Sequence, residues 1–168
     1  MATKFKLNIP TLNLIMDIVI TKGKSRNNLT CKRDDGTFTS TNLGPNIPYH
    51  DIAHYVVEKT FSMENGFYGK VKLGMTIEEL SDKEIIKTLD SETWLSEIMA
   101  RNLQSISSGT ASIEQFTELV HWEAQNMNGI KVPAMDIIDI KKMKTEYDQL
   151  CEKWVLIPEN DSLKLIFD

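Results

Sequence analysis

An Asp-Gly pair at positions 35 and 36 is the sequence feature that most restricts how this chain can fold. Asp-Gly supplies the positive φ angles that a tight turn between two antiparallel strands needs. The flanking segments, residues 29–33 and 37–41, contain many threonines and few large apolar side chains. The pattern therefore predicts a β-hairpin that leaves one face exposed or lies at the edge of a sheet.

Two further segments have the character of strands. Residues 12–20 contain a β-branched apolar run, and residues 162–168 alternate apolar and polar side chains with Leu163, Leu165 and Phe167 on one side. This alternation predicts a closing strand that joins the N-terminal sheet and buries one face. Between them the sequence has helical periodicity, so we expect one α+β domain over residues 1–168. A small antiparallel sheet, formed by N-terminal strands and the C-terminal strand, packs against a helical middle.

Helix-capping motifs mark the predicted starts of several helices in the middle of the chain. Capping boxes, in which a Ser or Thr is followed three residues later by Glu or Gln, begin at Thr76, Ser81 and Ser112. Residues 92–106 have apolar side chains at helical spacing and predict an amphipathic helix. A helix from Ser112 to about residue 128 and a last helix opened by Pro133 complete the expected set.

Composition excludes several classes of protein. The formal charge of −5 argues against general nucleic-acid binding, which depends on clustered lysine and arginine. No apolar run approaches the roughly 20 residues that cross a bilayer, and the N-terminus lacks the order of an export signal. We therefore expect a cytoplasmic protein without a membrane or nucleic-acid partner, in which Cys31 and Cys151 are reduced. The phosphate-binding glycine motifs and the serine-hydrolase elbow are also missing from the sequence.

Titratable side chains are concentrated in residues 47–58, which contain two of the three histidines. Pro48 suits the first turn of a helix that continues to about Phe61. His50, His54 and Glu58 then follow one another along the margin of the apolar face. A side chain in that position is partly desolvated, so its pKa and its affinity for a metal can be tuned.

The spacing of four residues between His50 and His54 is that of the zinc-binding His-Glu-x-x-His helix. Here Asp51 stands at the position of the general base, where its shorter side chain reaches a metal-bound water less easily. Asp51 and Glu58 are the candidate catalytic carboxylates. Glu58 lies about 12 Å along the helix from His50, so a divalent metal such as zinc needs a third ligand from elsewhere. His121 and Glu123 are the candidate donors, and hydrolysis through a metal-bound water is the candidate chemistry.

Two other interpretations of the same residues stay open. His50 and His54 could belong to an ordinary core helix, with His54 paired to Glu58 and His50 hydrogen-bonded to the backbone. Alternatively, the helix could border the groove of a non-enzymatic module that binds a small ligand or a protein. His121, on the opposite flank of its helix from the apolar stripe, also fits a surface histidine.

The histidine motif also has a resemblance. The run from Pro48 to Glu58, followed by residues 66–69 (Gly-Phe-Tyr-Gly) and Gly74, resembles small bacterial proteins of unknown function. Their pattern is Pro-His-Asp-Leu-x-His-x-x-Val-Glu, then Gly-Phe-Trp-Gly and a further glycine. This chain differs by inserting Tyr49 and by having Tyr68 where tryptophan is expected. The resemblance implies that His50, Asp51, His54 and Glu58 act as one unit, and it implies no particular activity.

Overall fold

The computed structural model describes residues 14–168, which form a four-stranded sheet and seven helices. The elements in chain order are β1 (Met16–Thr21), β2 (Asn27–Arg33), β3 (Phe38–Leu43), α1 (Ile47–Thr60), α2 (Phe67–Lys72), α3 (Ile77–Ser81), α4 (Lys83–Ile86), α5 (Ser91–Ser107), α6 (Phe116–Ala124), α7 (Ile137–Leu156) and β4 (Ser162–Phe167). Within this part of the chain, no helix combines the length and apolar character needed to cross a bilayer.

The sheet has the strand order β3-β2-β1-β4, and all neighbouring strands are antiparallel. The turn between β2 and β3 uses Gly36 at φ +87°, which confirms the Asp-Gly hairpin. The C-terminal strand pairs with β1, where Ile18 lies between Cys31 and Leu165. The predicted α+β class, with a closing strand added to an N-terminal antiparallel sheet, is confirmed.

The two faces of the sheet differ in polarity because the side chains alternate. The inner face carries buried residues, namely Met16, Ile18, Ile20, Leu29, Cys31, Leu163, Leu165 and Phe167. The outer face is mainly polar, although Phe38 and Ile166 are exposed there. On this face Thr30 hydrogen-bonds to Ser40 and Thr21 hydrogen-bonds to Ser162. The hairpin therefore has the exposed face that its composition predicts, and all helices that cover the core must lie on the other side.

Helix α1 lies at the centre of this cover and packs against α5, α7 and α2. Every residue from Asp51 to Glu58 is buried, so α1 has no solvent-facing stripe in that stretch. The Tyr55 hydroxyl donates to the carbonyl of Ile166 and ties the helix to β4. Because α1 is enclosed, the histidines are buried or half-buried instead of projecting into open water.

Some helix boundaries differ from those that the sequence predicts. The helix expected from Ser112 begins at Phe116. The Gln115 side chain accepts a hydrogen bond from the Ser112 amide, but no side chain caps the first turn of the helix in return. The last helix begins at Ile137, where the Asp136 carboxylate caps two amides, and not at Pro133. Likewise Asp82, not Ser81, caps α4, whereas the Thr76 capping box is present. Residues 12 and 13 of the expected first strand lie outside the described residues.

Candidate metal centre

Three ligand atoms from two helices converge on one point. His50 and His54 are one turn apart on α1, and Glu97 comes from the adjacent helix α5. The Nε2 atom of His54 lies 3.1 Å from Nε2 of His50 and 3.0 Å from Oε2 of Glu97. The third side of the triangle, from His50 Nε2 to Glu97 Oε2, is 3.2 Å. Among residues 14–168 this is the one group of three or more such side chains that could hold a metal ion.

The size of this triangle fits a first-row divalent ion. Bonds of about 2.1 Å to all three atoms would place an ion about 1 Å outside the plane of the triangle. The angles between ligands at the ion would then be about 95°, close to the roughly 90° of three ligands on one face of an octahedron. The three protein ligands would occupy one side of the ion and leave its other side for water or substrate.

Each histidine is oriented by a hydrogen bond at its other ring nitrogen. His50 Nδ1 lies 2.9 Å from the side-chain oxygen of Gln104, which can only accept, so Nδ1 carries the proton. His54 Nδ1 lies 3.1 Å from a carboxylate oxygen of Glu58 and 2.9 Å from the Ser96 hydroxyl. In the neutral rings both Nε2 lone pairs therefore face Glu97. A cation satisfies three converging acceptors, and a carboxylate or amide behind the imidazole is the usual arrangement in metal sites.

Glu58, which orients His54, is itself fixed by the start of α2. Its carboxylate accepts from the backbone N–H groups of Phe67 at 2.7 Å, Tyr68 at 2.8 Å and Gly69 at 3.1 Å. The Ser96 hydroxyl donates to it at 2.7 Å. Together with His54 this gives five donors to a side chain with no exposed surface. A buried carboxylate is tolerated when it is paired and fully hydrogen-bonded, and Glu58 meets both conditions.

Gly66 explains why the glycine motif accompanies Glu58. A Cβ atom at Gly66 would lie 2.3 Å from the carboxyl carbon of Glu58, so only glycine lets the backbone approach this closely. Gly69 is equally confined, since a Cβ there would lie 2.2 Å from the carbonyl oxygen of Glu64. Residues 66–69 therefore form a cradle for Glu58, and the two parts of the sequence motif belong to one structure.

The electrostatics of the site favour charge on both partners. Burial lowers the pKa of His54, but the hydrogen bonds and charges of Glu58 and Glu97 outweigh burial and raise this pKa to about 9. Partial burial raises the pKa of Glu97, but hydrogen bonds from His50 and His54 outweigh it and hold the pKa well below its usual range. Without a metal, His54 at neutral pH is therefore an imidazolium between two carboxylates.

The site opens to solvent on one side. The side chains of His50 and Glu97 are 30% and 38% exposed, whereas that of His54 is 7% exposed. Glu58, held by the first amide of α2, occupies the space behind Nδ1 of His54, so a ligand would reach the triangle on the side of the more exposed Glu97. The arrangement combines a rigid buried base with an accessible rim, as a site that exchanges water for substrate requires.

The candidate residues from the sequence have different places in this arrangement. His50 and His54 lie together, and Glu58 lies behind His54, where its lack of exposed surface separates it from solvent. Asp51 is 6% exposed, and its Oδ2 atom has no hydrogen-bond partner among the described residues. His121 is exposed on α6 and is not part of the triangle. Glu123 accepts from Arg101 and Asn102 instead.

Glu97 takes the position for which the sequence offered His121 and Glu123. Nothing in the local pattern distinguishes Glu97 from an ordinary solvated glutamate on the flank of an amphipathic helix. The available signal is its neighbour Ser96, a small polar residue that is fully buried on the same helix and contacts both His54 and Glu58. A small polar residue at a core position indicates that another helix presents polar groups to it.

Comparisons with known proteins add no assignment to this geometry. No protein-family model, curated protein or solved structure matches the chain. The candidate site therefore rests on the contacts of its own residues.

Proposed function

We propose that this protein binds a divalent metal ion through His50, His54 and Glu97 and uses it for hydrolysis. The observation that carries the proposal is the convergence of three ligand atoms that lie 3.0–3.2 Å apart. The Nδ1 atoms of both histidines already make hydrogen bonds, which leaves their Nε2 atoms for the ion. Two imidazoles and one carboxylate, with the remaining positions open, are the ligand set of catalytic zinc sites. Zinc is therefore the first candidate, and iron(II), which uses the same ligands, is the second.

Hydrolysis follows from what such an ion does to water. A zinc ion lowers the pKa of a bound water to about 7 and so supplies hydroxide at neutral pH. The oxygen of that water would attack a carbonyl carbon, the bond to the leaving group would break, and the leaving group would take the proton. The chain contributes by holding the ligands: Gln104 and Glu58 orient the histidines, and Glu97 offsets part of the metal charge.

The roles of the two candidate carboxylates from the sequence change under this proposal. Glu58 acts as a positioning residue through His54, because its oxygens are occupied by five donors and have no access to solvent. Asp51 is buried, is not one of the three converging side chains, and makes no hydrogen bond to the histidines among the described contacts. Glu97, with one oxygen directed at the triangle and a half-exposed side chain, takes the place of the functional carboxylate.

A second candidate function has its own supporting observation. His54 bridges Glu58 and Glu97 by hydrogen bonds of 3.1 and 3.0 Å. Because its pKa is raised, His54 is protonated at neutral pH and can donate to both carboxylates without a metal ion. In that case the network is structural, and the protein is a non-enzymatic binding module. The two candidates differ in one measurable property, which is the response of folding stability to zinc.

The test is metal analysis of protein purified without an affinity tag, followed by calorimetric titration with zinc. Glu97→Gln and His50→Ala are suitable variants because both side chains are partly exposed and leave no sealed cavity. Each should lower zinc affinity at least about 100-fold, more than residues that only orient a ligand. The matched control is His121→Ala, an exposed histidine outside the triangle, which should leave zinc affinity unchanged. If wild-type protein neither contains a metal nor melts at a higher temperature with zinc, the structural alternative is correct.

A further inference from the structure

A hollow of about 300 Å³ opens directly beside the metal ligands. His54 and Glu97 form its polar end, so the same two side chains belong to the triangle and to the wall of the hollow. The rest of the wall comes from α2, α3, α4, α5 and the loop between α4 and α5. Its other lining residues are Phe67, Leu80, Ile86, Leu89, Thr93 and Trp94.

The wall of this hollow is mainly apolar, and Thr93 is the one polar side chain apart from the two ligands. Phe67, Ile86, Leu89 and Trp94 are each only half-buried in the protein. Together these four apolar side chains keep exposed surface around a single hollow. When an apolar group enters the hollow, that surface is removed from contact with water. This is the usual composition of a small-ligand site, in which an apolar wall gives affinity and a few polar groups give orientation.

The volume limits the size of the group that fits. An apolar protein cavity of about 150 Å³ holds one benzene molecule. The hollow here is about twice that size, which leaves room for up to about twelve carbon atoms, so a chain of about six to eight carbon atoms fits within it. The His54 ring lies 5.6 Å from the Phe67 ring, which places the first apolar wall residue immediately next to the metal ligand. An extended group in the hollow would therefore begin at the ion.

We propose that the substrate of this site is an ester or amide whose acyl group, of about six to eight apolar carbon atoms, occupies the hollow lined by Phe67, Ile86, Leu89 and Trp94. This inference rests on the proposed metal-dependent hydrolysis. The carbonyl oxygen lies at the ion and the acyl chain extends from His54 along Phe67. A bound ion would activate the water, whose oxygen would bond to the carbonyl carbon. The bond from that carbon to the alcohol oxygen or amine nitrogen would break, the leaving atom would take a proton of the water, and the acyl group would leave as a carboxylate.

Alkyl hydroxamates test the proposal because their head group binds the metal while the chain length varies. Zinc-loaded protein is titrated with acetohydroxamate, butanohydroxamate and hexanohydroxamate by calorimetry. Each buried methylene is expected to raise the affinity about fourfold, giving about 100-fold or more between the two- and six-carbon ligands. The same series is then titrated into zinc-free protein, where the chain length should have the same direction of effect at lower affinity.

Ile86→Trp is designed to fill the hollow without touching the metal ligands. Ile86 is half-buried at the end of α4, a helix with no buried residue, so the larger side chain can be accommodated without repacking the core. The variant should lose at least about tenfold in affinity for hexanohydroxamate, while acetohydroxamate and zinc bind as in wild type. Ile138→Trp, at an exposed position on α7, is the matched control and should leave the whole series unchanged.

The outcomes separate the acyl pocket from the metal function. If zinc binds but affinity is independent of chain length, the acyl pocket is wrong and the metal site stands. If zinc does not bind, yet longer hydroxamates bind more tightly in a way that Ile86→Trp abolishes, the pocket stands and the metal function fails. Equal loss in Ile86→Trp and Ile138→Trp also contradicts the proposal, because the hollow would then have no specific part in binding.

Discussion

Helix α1 carries two buried polar clusters that differ in how their groups are satisfied. In the first, which we call the Glu58 cluster, the Glu58 carboxylate receives five donors, including His54 and Ser96. In the second, the Asp51 pair, Asp51 Oδ2 and the Tyr68 hydroxyl are buried without a partner in residues 14–168. Burial raises the pKa of Asp51 to about 6, and burial followed by the charge of Asp51 raises that of Tyr68 well above its usual value.

The difference shows that burial alone does not decide whether a carboxylate finds hydrogen-bond donors. Glu58 is more deeply buried than Asp51, but the protein supplies it with three backbone amides, a hydroxyl and an imidazole. Asp51 has no such donors, so the neutral form is favoured as far as about pH 6. The donors around Glu58 hold its carboxylate directly behind His54, so the removal of this carboxylate should have the larger effect.

The largest effect is expected from Glu58→Gln. This change removes a buried charge and places an NH₂ group among five donors, so we expect a loss of about 3–5 kcal/mol in the free energy of unfolding at neutral pH. Urea unfolding measures it. Glu152→Gln, at an exposed position on α7, is the matched control and should change stability by less than about 0.5 kcal/mol. A loss in Glu58→Gln as small as in this control would remove the contrast between the two clusters.

Gly66→Ala should have the next largest effect, because it disturbs the Glu58 cluster without changing its charges. The new Cβ would lie 2.3 Å from the Glu58 carboxyl carbon, which has to move away from the amides of α2. We expect a loss of about 2–3 kcal/mol in stability, together with weaker zinc binding because His54 loses its fixed orientation.

The control for this glycine is Gly44→Ala. A Cβ at Gly44 would meet Ile47 at 3.5 Å, an ordinary contact, and the backbone there has no positive φ. We expect little or no loss of stability from this change. If both alanine variants were equally stable, the close approach of Gly66 to Glu58 would not be required for the fold.

The smallest effect is expected from Asp51→Asn, and it should depend on pH. Because the folded pKa of Asp51 is raised from 3.8 to about 6, the stability that this group contributes is complete at low pH and is lost as pH rises through about 6. Asparagine does not ionise. The stability of Asp51→Asn relative to wild type should therefore increase between about pH 4 and about pH 7, by about 2 kcal/mol, and then level off.

Urea unfolding of both proteins across this pH range measures the difference. Asp17→Asn, at an exposed position on β1, controls for the general loss of a carboxylate. A difference that stays constant with pH, or that falls, would mean that Asp51 is ionised as readily in the folded protein as in the unfolded chain. The folded protein would then stabilise the ionised Asp51 carboxylate as well as water does, and the contrast with the Glu58 cluster would no longer hold.

The fold could be predicted from the sequence because its signals are local. The Asp35-Gly36 turn, the alternation of Leu163, Leu165 and Phe167, and the apolar period of residues 92–106 each depend on neighbours in the chain. These signals correctly gave the hairpin, the closing strand and helix α5. The predicted starts of α6 and α7 were too early, because no side chain caps α6 before Phe116 and because Asp136, three residues after Pro133, caps α7.

The site could be predicted only in part, because half of it depends on packing between helices. The spacing of His50 and His54 gave one edge of the triangle from sequence alone. Glu97 is 43 residues away from His54. The apolar periodicity of α5 shows which face is buried, but it does not show which flank of that face lies against α1. The role of Glu58 was hidden for the same reason, since its five donors come from three helices. The cytoplasmic location and the choice of partners stay predictions.

The position of β1 in the sheet has a consequence for how the chain matures. β1 pairs with β2, its neighbour in sequence, but its other partner is β4, and the hydrogen-bonded side chains of Thr21 and Ser162 are 141 residues apart. On a translating ribosome, the fourth strand therefore arrives after all seven helices. The Phe167 ring lies 5.9 Å from that of Tyr68, whose backbone N–H donates to Glu58, so the last strand packs against the residues that hold Glu58. Such distant pairing slows folding, because the long intervening chain must close into a loop before the two strands can pair.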